Sequence, residues 1–177
     1  LHDALPICVL TYVDPRRFGH FYLLSDKNFK IKEDQLPADV SSIEFDENKI
    51  AEIFFRFPHK TLKPFLLDQK AFPGVGNYMA SEICARAGIL PTRVMGEIAA
   101  DEIHKIKLAL DTVISGAIKT QGTTFSGGYK DANGDKGKGL QHLVVFHQKT
   151  CQMCGHSDVI KSVLGGRGTY HCPHCQH

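Results

Sequence analysis

The stretch LKPFLLDQKAFPGVGNYMASEICARAG, residues 62–88, decides what kind of fold this chain can form. Its first part has the apolar spacing of a short helix, and a second helical pattern runs from Tyr78 to Ala87. Gly88 is placed to end the second helix, because glycine readily takes the left-handed conformation that closes many helices. The stretch therefore predicts two helices joined by a tight, glycine-rich turn.

Gly74, Gly76 and Asn77 stand where the second helix begins. A helix N-terminus presents unbonded backbone N–H groups and a partial positive charge. The two glycines lack side chains that would keep an anion at a distance, and Asn77 can either cap the helix or donate its amide to the anion. The turn predicts a grip on a phosphate that does not read base sequence. An ordinary tight turn between two helices is the alternative.

Patterns on both sides of this stretch complete the organisation of the chain. A helix precedes it, with an apolar face made of Ile50, Ile53, Phe54 and Phe57. A longer helix follows it, with an apolar face made of Ile103, Ile106, Leu110, Val113, Ile114, Ala117 and Ile118. Residues 25–45 and the Gly- and Lys-rich residues 126–139 predict loops, whereas HLVVFH, residues 142–147, predicts a short strand. Near the start, CVLTYV and HFYLL flank the turn DPRRFG and predict a β-hairpin.

Four cysteines near the end of the chain predict a metal site. Two CxxC pairs, separated by seventeen residues, consist of Cys151, Cys154, Cys172 and Cys175. Each pair directs two thiolates at one point, and four thiolates saturate a tetrahedral Zn²⁺. A saturated site has no open position for water, so the spacing predicts one structural zinc ion. Metal binding then supplies the folding energy that so short a module lacks.

Two alternatives to this metal site stay open. The four cysteines could form two disulfides, or histidines could replace some of them, since His156, His171 and His174 lie close in sequence. Between the two pairs, GGRG at residues 165–168 predicts the turn of a β-hairpin. Arg167 is then either a solvated side chain or a cation that approaches a phosphate.

Composition limits the function classes without choosing among them. The chain has 177 residues, 42% of them hydrophobic, and a formal net charge of +2. This small charge permits a nucleic-acid partner only where basic residues are clustered. No apolar run approaches membrane-spanning length and no secretion signal is visible, so we expect a cytoplasmic protein without membrane contact.

Three motifs in one order resemble the formamidopyrimidine-DNA glycosylase / endonuclease VIII family of base-excision repair enzymes. These motifs are DPRRFG, KPFLLDQKAFPGVGNYMASEICARAGILP, and the two CxxC pairs with an arginine five residues before the third cysteine. The resemblance covers the chain from about Val9 onward. It implies an α+β fold with three parts: the end of an N-terminal β-sandwich over residues 1–24, a helix–two-turn–helix DNA-binding domain over 25–145 and a zinc-finger hairpin over 146–177.

The resemblance also implies an activity. Members of the family hold damaged double-stranded DNA between their two halves, excise oxidised bases and cleave the abasic strand by β,δ-elimination. An N-terminal proline amine attacks the sugar, and the following glutamate acts as acid and base. The family further implies one zinc ion and a monomeric protein in the cytoplasm of a bacterium.

Individual residues carry over by their position in these motifs. Arg16 matches the side chain that enters the gap left by the extruded base, and Phe18 matches the apolar wedge beside it. A wedge of this kind fills the void and offsets part of the unstacking cost. Asn77 and the amides near Gly76 match the family's phosphate grip. Arg167 matches the zinc-finger arginine that holds a phosphate near the lesion and is associated with δ-elimination.

The chain also departs from the family pattern. It begins Leu1-His2, so the catalytic Pro-Glu start is absent, and so is the β-sandwich lysine. Pro58 takes a position that often holds a DNA-contacting lysine, so Lys60 or Arg56 would have to substitute for it. We therefore expect a C-terminal fragment that binds DNA without excising bases. The alternatives are a non-catalytic nucleic-acid-binding module with a zinc ribbon and a purely structural zinc protein.

Overall fold

The computed structural model describes residues 11–14, 17, 19–123, 125 and 134–177. The chain divides into two compact units, Leu1–Leu36 and Pro37–His177. The domain boundaries expected from the sequence, at residues 24 and 145, stay a prediction. Within the described part of the chain, none of the helices combines the length and apolar character needed to span a bilayer.

The first unit contains one helix, α1, Asp26–Glu33, among its described residues. The sequence predicts a loop here, and that prediction is wrong. Helix α1 buries none of its residues, so it has no apolar stripe from which a helix could be recognised. Lys30 forms ion pairs with Glu33 and Asp34, both at 3.1 Å, which support the helix locally.

The hairpin predicted around residues 8–24 is not seen as paired strands among the described residues. Tyr12 and Phe21 approach each other, with ring centroids 6.4 Å apart, but the described part of either arm forms no strand. Both side chains are largely exposed. A lone two-stranded ribbon without a packed face is marginally stable, which accounts for the missing ladder.

The second unit is built on four helices. They are α2, Glu47–Arg56; α3, Leu62–Leu66; α4, Asn77–Ala87; and α5, Ala100–Lys119. Asp46 begins α2 by accepting a hydrogen bond from the Lys49 N–H at 2.8 Å. Gly88 ends α4 in the left-handed conformation, as predicted. The four helices enclose one core whose fully buried members include Ile50, Leu62, Leu66, Ile83, Ile106 and Leu110.

Helix α4 lies at the centre of this unit. Seven of its residues are buried, and they face two different cores. Ala80 and Ile83 belong to the helical core, whereas Ala85 packs in a second core with residues 143–146, Tyr170 and the buried cysteines. Helix α4 therefore joins the helical part to the C-terminal module.

The C-terminal module is a two-stranded antiparallel hairpin. Strand β1, Ile160–Leu164, pairs with β2, Arg167–His171, with Leu164 opposite Arg167. Gly165 and Gly166 form the turn at φ 58° and 72°, which glycine adopts without strain. The helical part and this hairpin confirm the α+β class.

The prediction of a strand at residues 142–147 is wrong. This apolar segment is irregular, and its buried N–H groups bond to a side chain instead of a neighbouring strand. Glu82, on α4, accepts hydrogen bonds from the N–H groups of Val144, Val145 and Phe146 at 2.8–2.9 Å. A buried carboxylate thus takes the place of the missing ladder.

Candidate nucleic-acid interface

The side chain of Gln69 fixes the conformation of the turn before α4, a role that the sequence patterns do not indicate. Gln69 accepts a hydrogen bond from the Gly74 N–H at 2.9 Å and donates one to the Val75 carbonyl at 3.0 Å. Gly74 has φ 87°, a conformation that disfavours other residues. Gln69 and Gly74 together fix the path by which the chain enters α4.

Gly76 leaves the N-terminus of α4 uncovered. It is the N-cap residue, with φ −94° and ψ 178°, a conformation that any residue can adopt. A Cβ added there would meet no protein atom within 4 Å. Neither the backbone nor the packing therefore requires glycine at this position. What the glycine provides is open space in front of the first-turn N–H groups of α4, which no side chain caps.

Asn77 does not cap α4, so that part of its expected role is wrong. It is the first residue of the helix, and its side chain bonds across the structure instead. Asn77 Nδ2 donates to the Gly168 carbonyl of the hairpin at 3.0 Å, while Asn77 Oδ1 accepts from Lys63 Nζ at 2.8 Å. Lys63 Nζ also lies 3.4 Å from the Gly168 carbonyl. This network ties α3, α4 and the hairpin together at one point.

Lys63 is a buried cation without a carboxylate. Its side chain is fully buried, and among the described residues it takes part in no ion pair. Burial lowers the pKa of Lys63, and the positive Arg167 nearby lowers it further. Cys84 lies close as well, but burial raises the pKa of its thiol to about 12, so it stays neutral. The site holds positive charge for which the described protein atoms provide no counter-ion.

Arg167 stands next to Gly168 at the start of β2 and is exposed. The structure gives its guanidinium no ion pair within the described residues. Arg167 and Lys63 are close enough for their charges to oppose each other. Two like charges held near one another, beside the open N-terminus of a helix, form a site suited to an anion.

Lys60 lies two residues before α3. It borders a surface groove with Thr61 and Pro64. Pro64 also faces the hairpin turn, since a Cβ added to Gly165 would lie 3.5 Å from Pro64 Cβ. The structure therefore brings Gly76, Asn77 and Arg167 together and places Lys60 on the adjoining surface. Arg16, Phe18 and residues 126–133 of the Gly- and Lys-rich loop lie outside the described residues.

The cysteine cluster fits a tetrahedral metal ion. The sulfur atoms of Cys151, Cys154, Cys172 and Cys175 all lie within 4.8 Å of one another, and the Cys154 and Cys172 sulfurs are 3.9 Å apart. A Zn–S bond of about 2.3 Å in a tetrahedron places sulfurs about 3.8 Å apart. These four thiols form no disulfide, and none of the three nearby histidines joins the cluster.

The protein environment favours the thiolate at two of the four cysteines: the pKa is lowered at Cys154 and Cys172, whereas burial raises the pKa of Cys151 and raises that of Cys175 to about 12. Burial raises the pKa of the Cys172 thiol, yet hydrogen bonds from the N–H groups of Cys175 and His174 contribute to bringing it down to about 7. Behind the cluster, Gln176 accepts from the Cys172 N–H and donates to the Ile89 carbonyl, both at 2.8 Å. The cluster is thereby fixed to the segment that follows α4.

Comparisons with known proteins agree with this architecture. Residues 36–127 match the family model described as the formamidopyrimidine-DNA glycosylase H2TH domain. Formamidopyrimidine-DNA glycosylase from an Exiguobacterium species is 34% identical over 174 residues, which are 94% of this chain and 62% of that protein. The chain thus spans about three fifths of the length of the curated relatives it matches.

Solved structures give the same assignment. The MutM (Fpg) protein from Thermus thermophilus superimposes with a TM-score of 0.80 at 30% identity, covering 92% of this chain and 62% of that one. The Lactococcus lactis Fpg, in complex with DNA containing an abasic site, gives a TM-score of 0.73 at 28% identity, covering 85% and 55%. With its H2TH domain, its C-terminal hairpin and its four-cysteine cluster, the chain belongs to the formamidopyrimidine-DNA glycosylase family.

Proposed function

We propose that this chain is the DNA-gripping part of a bifunctional glycosylase and AP lyase. The whole protein would remove oxidised bases from double-stranded DNA and cleave the abasic strand by β,δ-elimination. The observation that carries the proposal is the network in which Lys63, Asn77 and the Gly168 carbonyl join at the open N-terminus of α4, with Arg167 beside them. Such a site suits a backbone phosphate, which it would bind in any base sequence.

The other proposed contacts extend this grip. Lys60 would hold a second phosphate along the groove beside α3. Arg16 and Phe18 would fill the gap left by the extruded base, and Arg167 would also assist the δ-elimination. We propose that one zinc ion is bound by the four cysteines, where it would fix the hairpin that carries Arg167. The protein would act as a monomer.

The 177-residue chain by itself would bind DNA without excising bases, since its sequence contains no Pro-Glu pair. Borohydride trapping tests the lyase activity, because it reduces the covalent adduct between an amine and the abasic sugar. The polypeptide to use carries a Pro-Glu start and β-sandwich from a relative, joined upstream of this chain. A trapped adduct with an abasic duplex supports the proposal. Binding of the duplex without any adduct would favour a non-catalytic nucleic-acid-binding module.

A substitution at Gly76 separates ligand binding from folding. Gly76→Thr should keep the free energy of unfolding within about 0.5 kcal/mol, because threonine and glycine are similar as N-caps and the space around Gly76 is open. The added side chain would obstruct the N-terminus of α4, so affinity for an abasic duplex should fall about tenfold. Fluorescence anisotropy and urea denaturation measure the two quantities. Unchanged affinity in a folded variant would remove Gly76 from the interface.

Duplex binding should weaken as pH rises through the lowered pKa of Lys63. Below that pKa the buried amine is charged and attracts a phosphate from beneath the surface, and above it the positive charge is lost. Because the pKa lies below 10.5, the ordinary value for lysine, the loss begins at a lower pH than for a solvated lysine. Anisotropy titrations from about pH 7 to pH 10 test this. Lys63→Met should bind weakly and lose this pH dependence, whereas the Lys60→Met control should retain it.

A further inference from the structure

A second groove, on the C-terminal module, takes no part in the network at Lys63. His147 and Tyr170 contribute rings to it, and Lys149, Asp158 and Lys161 contribute charged groups. None of these residues lies in the four-cysteine cluster, and His147 is the last residue of the stretch HLVVFH, which does not form the predicted strand. The groove combines flat rings with positive charge.

The two rings form a supported platform. His147 stacks on Tyr170, with centroids 5.1 Å apart and planes 29° apart. Tyr170 is buried and is held from within by Phe146, whose ring centroid is 4.7 Å away. His147, by contrast, is exposed. The buried rings therefore fix the orientation of a histidine that solvent, or a ligand, can reach.

The backbone at His147 is unfavourable for histidine. Its φ is 59°, in the left-handed region, where any residue other than glycine raises the free energy of the folded chain by about 1 kcal/mol or more. Because the His147 side chain is exposed, a need to fill the protein interior does not explain why a histidine stands at this position. Glycine or asparagine would adopt the same backbone more easily. The contacts of the His147 ring with Phe125, Phe146 and Tyr170 offset part of this backbone cost.

Charge selects the class of ligand. Lys149 and Lys161 are exposed, and the described residues offer neither of them an ion pair. Lys161 Nζ also lies 5.7 Å from the centroid of the Tyr170 ring. Asp158 is the acidic residue at the groove, so the two lysines leave one positive charge in excess. Flat rings flanked by cations match a nucleobase between two phosphates.

We propose that the His147–Tyr170 platform stacks an unpaired nucleobase of single-stranded DNA, with Lys149 and Lys161 against the flanking phosphates. The inference rests on the proposed function and extends it to a strand that leaves the duplex. A chain of rings links the two sites: Tyr78, in the first turn of α4, has its centroid 6.2 Å from Phe146, which contacts Tyr170. A strand held at α4 would then have a second contact surface on the C-terminal module.

The test uses the 177-residue chain and a fluorescent oligo(dT) of roughly ten nucleotides. His147→Gly and His147→Asn remove the ring but relieve the backbone cost, which offsets the lost ring contacts, so both variants should fold. We expect each to bind oligo(dT) about tenfold more weakly, the loss typical of one stacked base, and to bind a fully paired duplex unchanged. Tyr170→Phe keeps the ring and should bind oligo(dT) as the parent does.

The lysines provide an independent measurement. Lys149→Gln with Lys161→Gln should lower the salt slope of oligo(dT) binding by about 1, while the exposed control Lys105→Gln leaves it unchanged. Unchanged oligo(dT) affinity in both ring-less variants would overturn the stacking site. An equal loss for oligo(dT) and paired duplex would also overturn it, because the contact would then be with the backbone. Neither result concerns duplex binding at the Lys63 network. The proposed function is tested separately, by borohydride trapping and by the Gly76 and Lys63 variants.

Discussion

Glu82→Leu is expected to lower the free energy of unfolding by about 3–5 kcal/mol. Glu82 is buried and accepts hydrogen bonds from three consecutive N–H groups, those of Val144, Val145 and Phe146. Leucine has a similar size but no acceptor, so three buried donors would lose their partners. Arg86, whose Nε lies 3.9 Å from the carboxylate, would lose its neighbour as well.

Two further variants show whether the acceptor atoms cause this loss. Glu82→Gln retains one carbonyl oxygen and should cost less than leucine, because that oxygen can still accept from Val145 and Phe146. Glu44→Leu removes an exposed carboxylate and should change stability by less than about 0.5 kcal/mol. Urea denaturation gives all three values. Equal stability of Glu82→Leu and the parent would show that the segment 143–146 is held by packing alone.

Removal of the metal ion is expected to unfold the C-terminal module. A two-stranded hairpin of this size has too little core to fold without its metal, and structural zinc supplies about 10–16 kcal/mol of binding free energy in comparable modules. Treatment with EDTA, or Cys172→Ser, should therefore unfold residues 151–175. Duplex affinity should fall with it, since Arg167 and the Gly168 carbonyl lie on that hairpin.

Metal analysis and amide hydrogen exchange measure these changes. The parent should contain one zinc ion per chain and protect the amides of β1 and β2, whereas Cys172→Ser should do neither. Cys84→Ala is the matched control, because Cys84 is buried in the helical core and lies outside the four-cysteine cluster. It should keep its metal. Protection of the hairpin after complete metal removal would contradict the assignment of the cluster as a structural site.

The features that the sequence predicts well are local ones. Paired CxxC spacing predicts the cysteine cluster, because each pair forms one turn. Apolar spacing predicts α2, α3, α4 and most of α5, because each buries one stripe. Ile118, at the end of the predicted stripe of α5, is 68% exposed, since the core ends before it.

The features that the sequence misses depend on contacts between distant residues. Lys63 meets the Gly168 carbonyl across 105 positions, and Glu82 meets Val144 across 62. A lysine in a helix usually indicates a solvated face, so its full burial becomes visible only in three dimensions. The apolar run at 143–146 is predicted as a strand because sequence alone does not show that its N–H groups bond to Glu82, a side chain on α4.

The central claim is that the buried charge of Lys63 and the exposed guanidinium of Arg167 together attract one phosphate. A double-mutant cycle of Lys63→Met and Arg167→Gln, measured by affinity for a duplex with an abasic site, tests it most directly. Each single variant should bind about tenfold more weakly, and the double variant should bind little more weakly than the singles, with a coupling of about 1 kcal/mol. Losses that add to within about 0.5 kcal/mol, or single variants that bind like the parent, would contradict the claim.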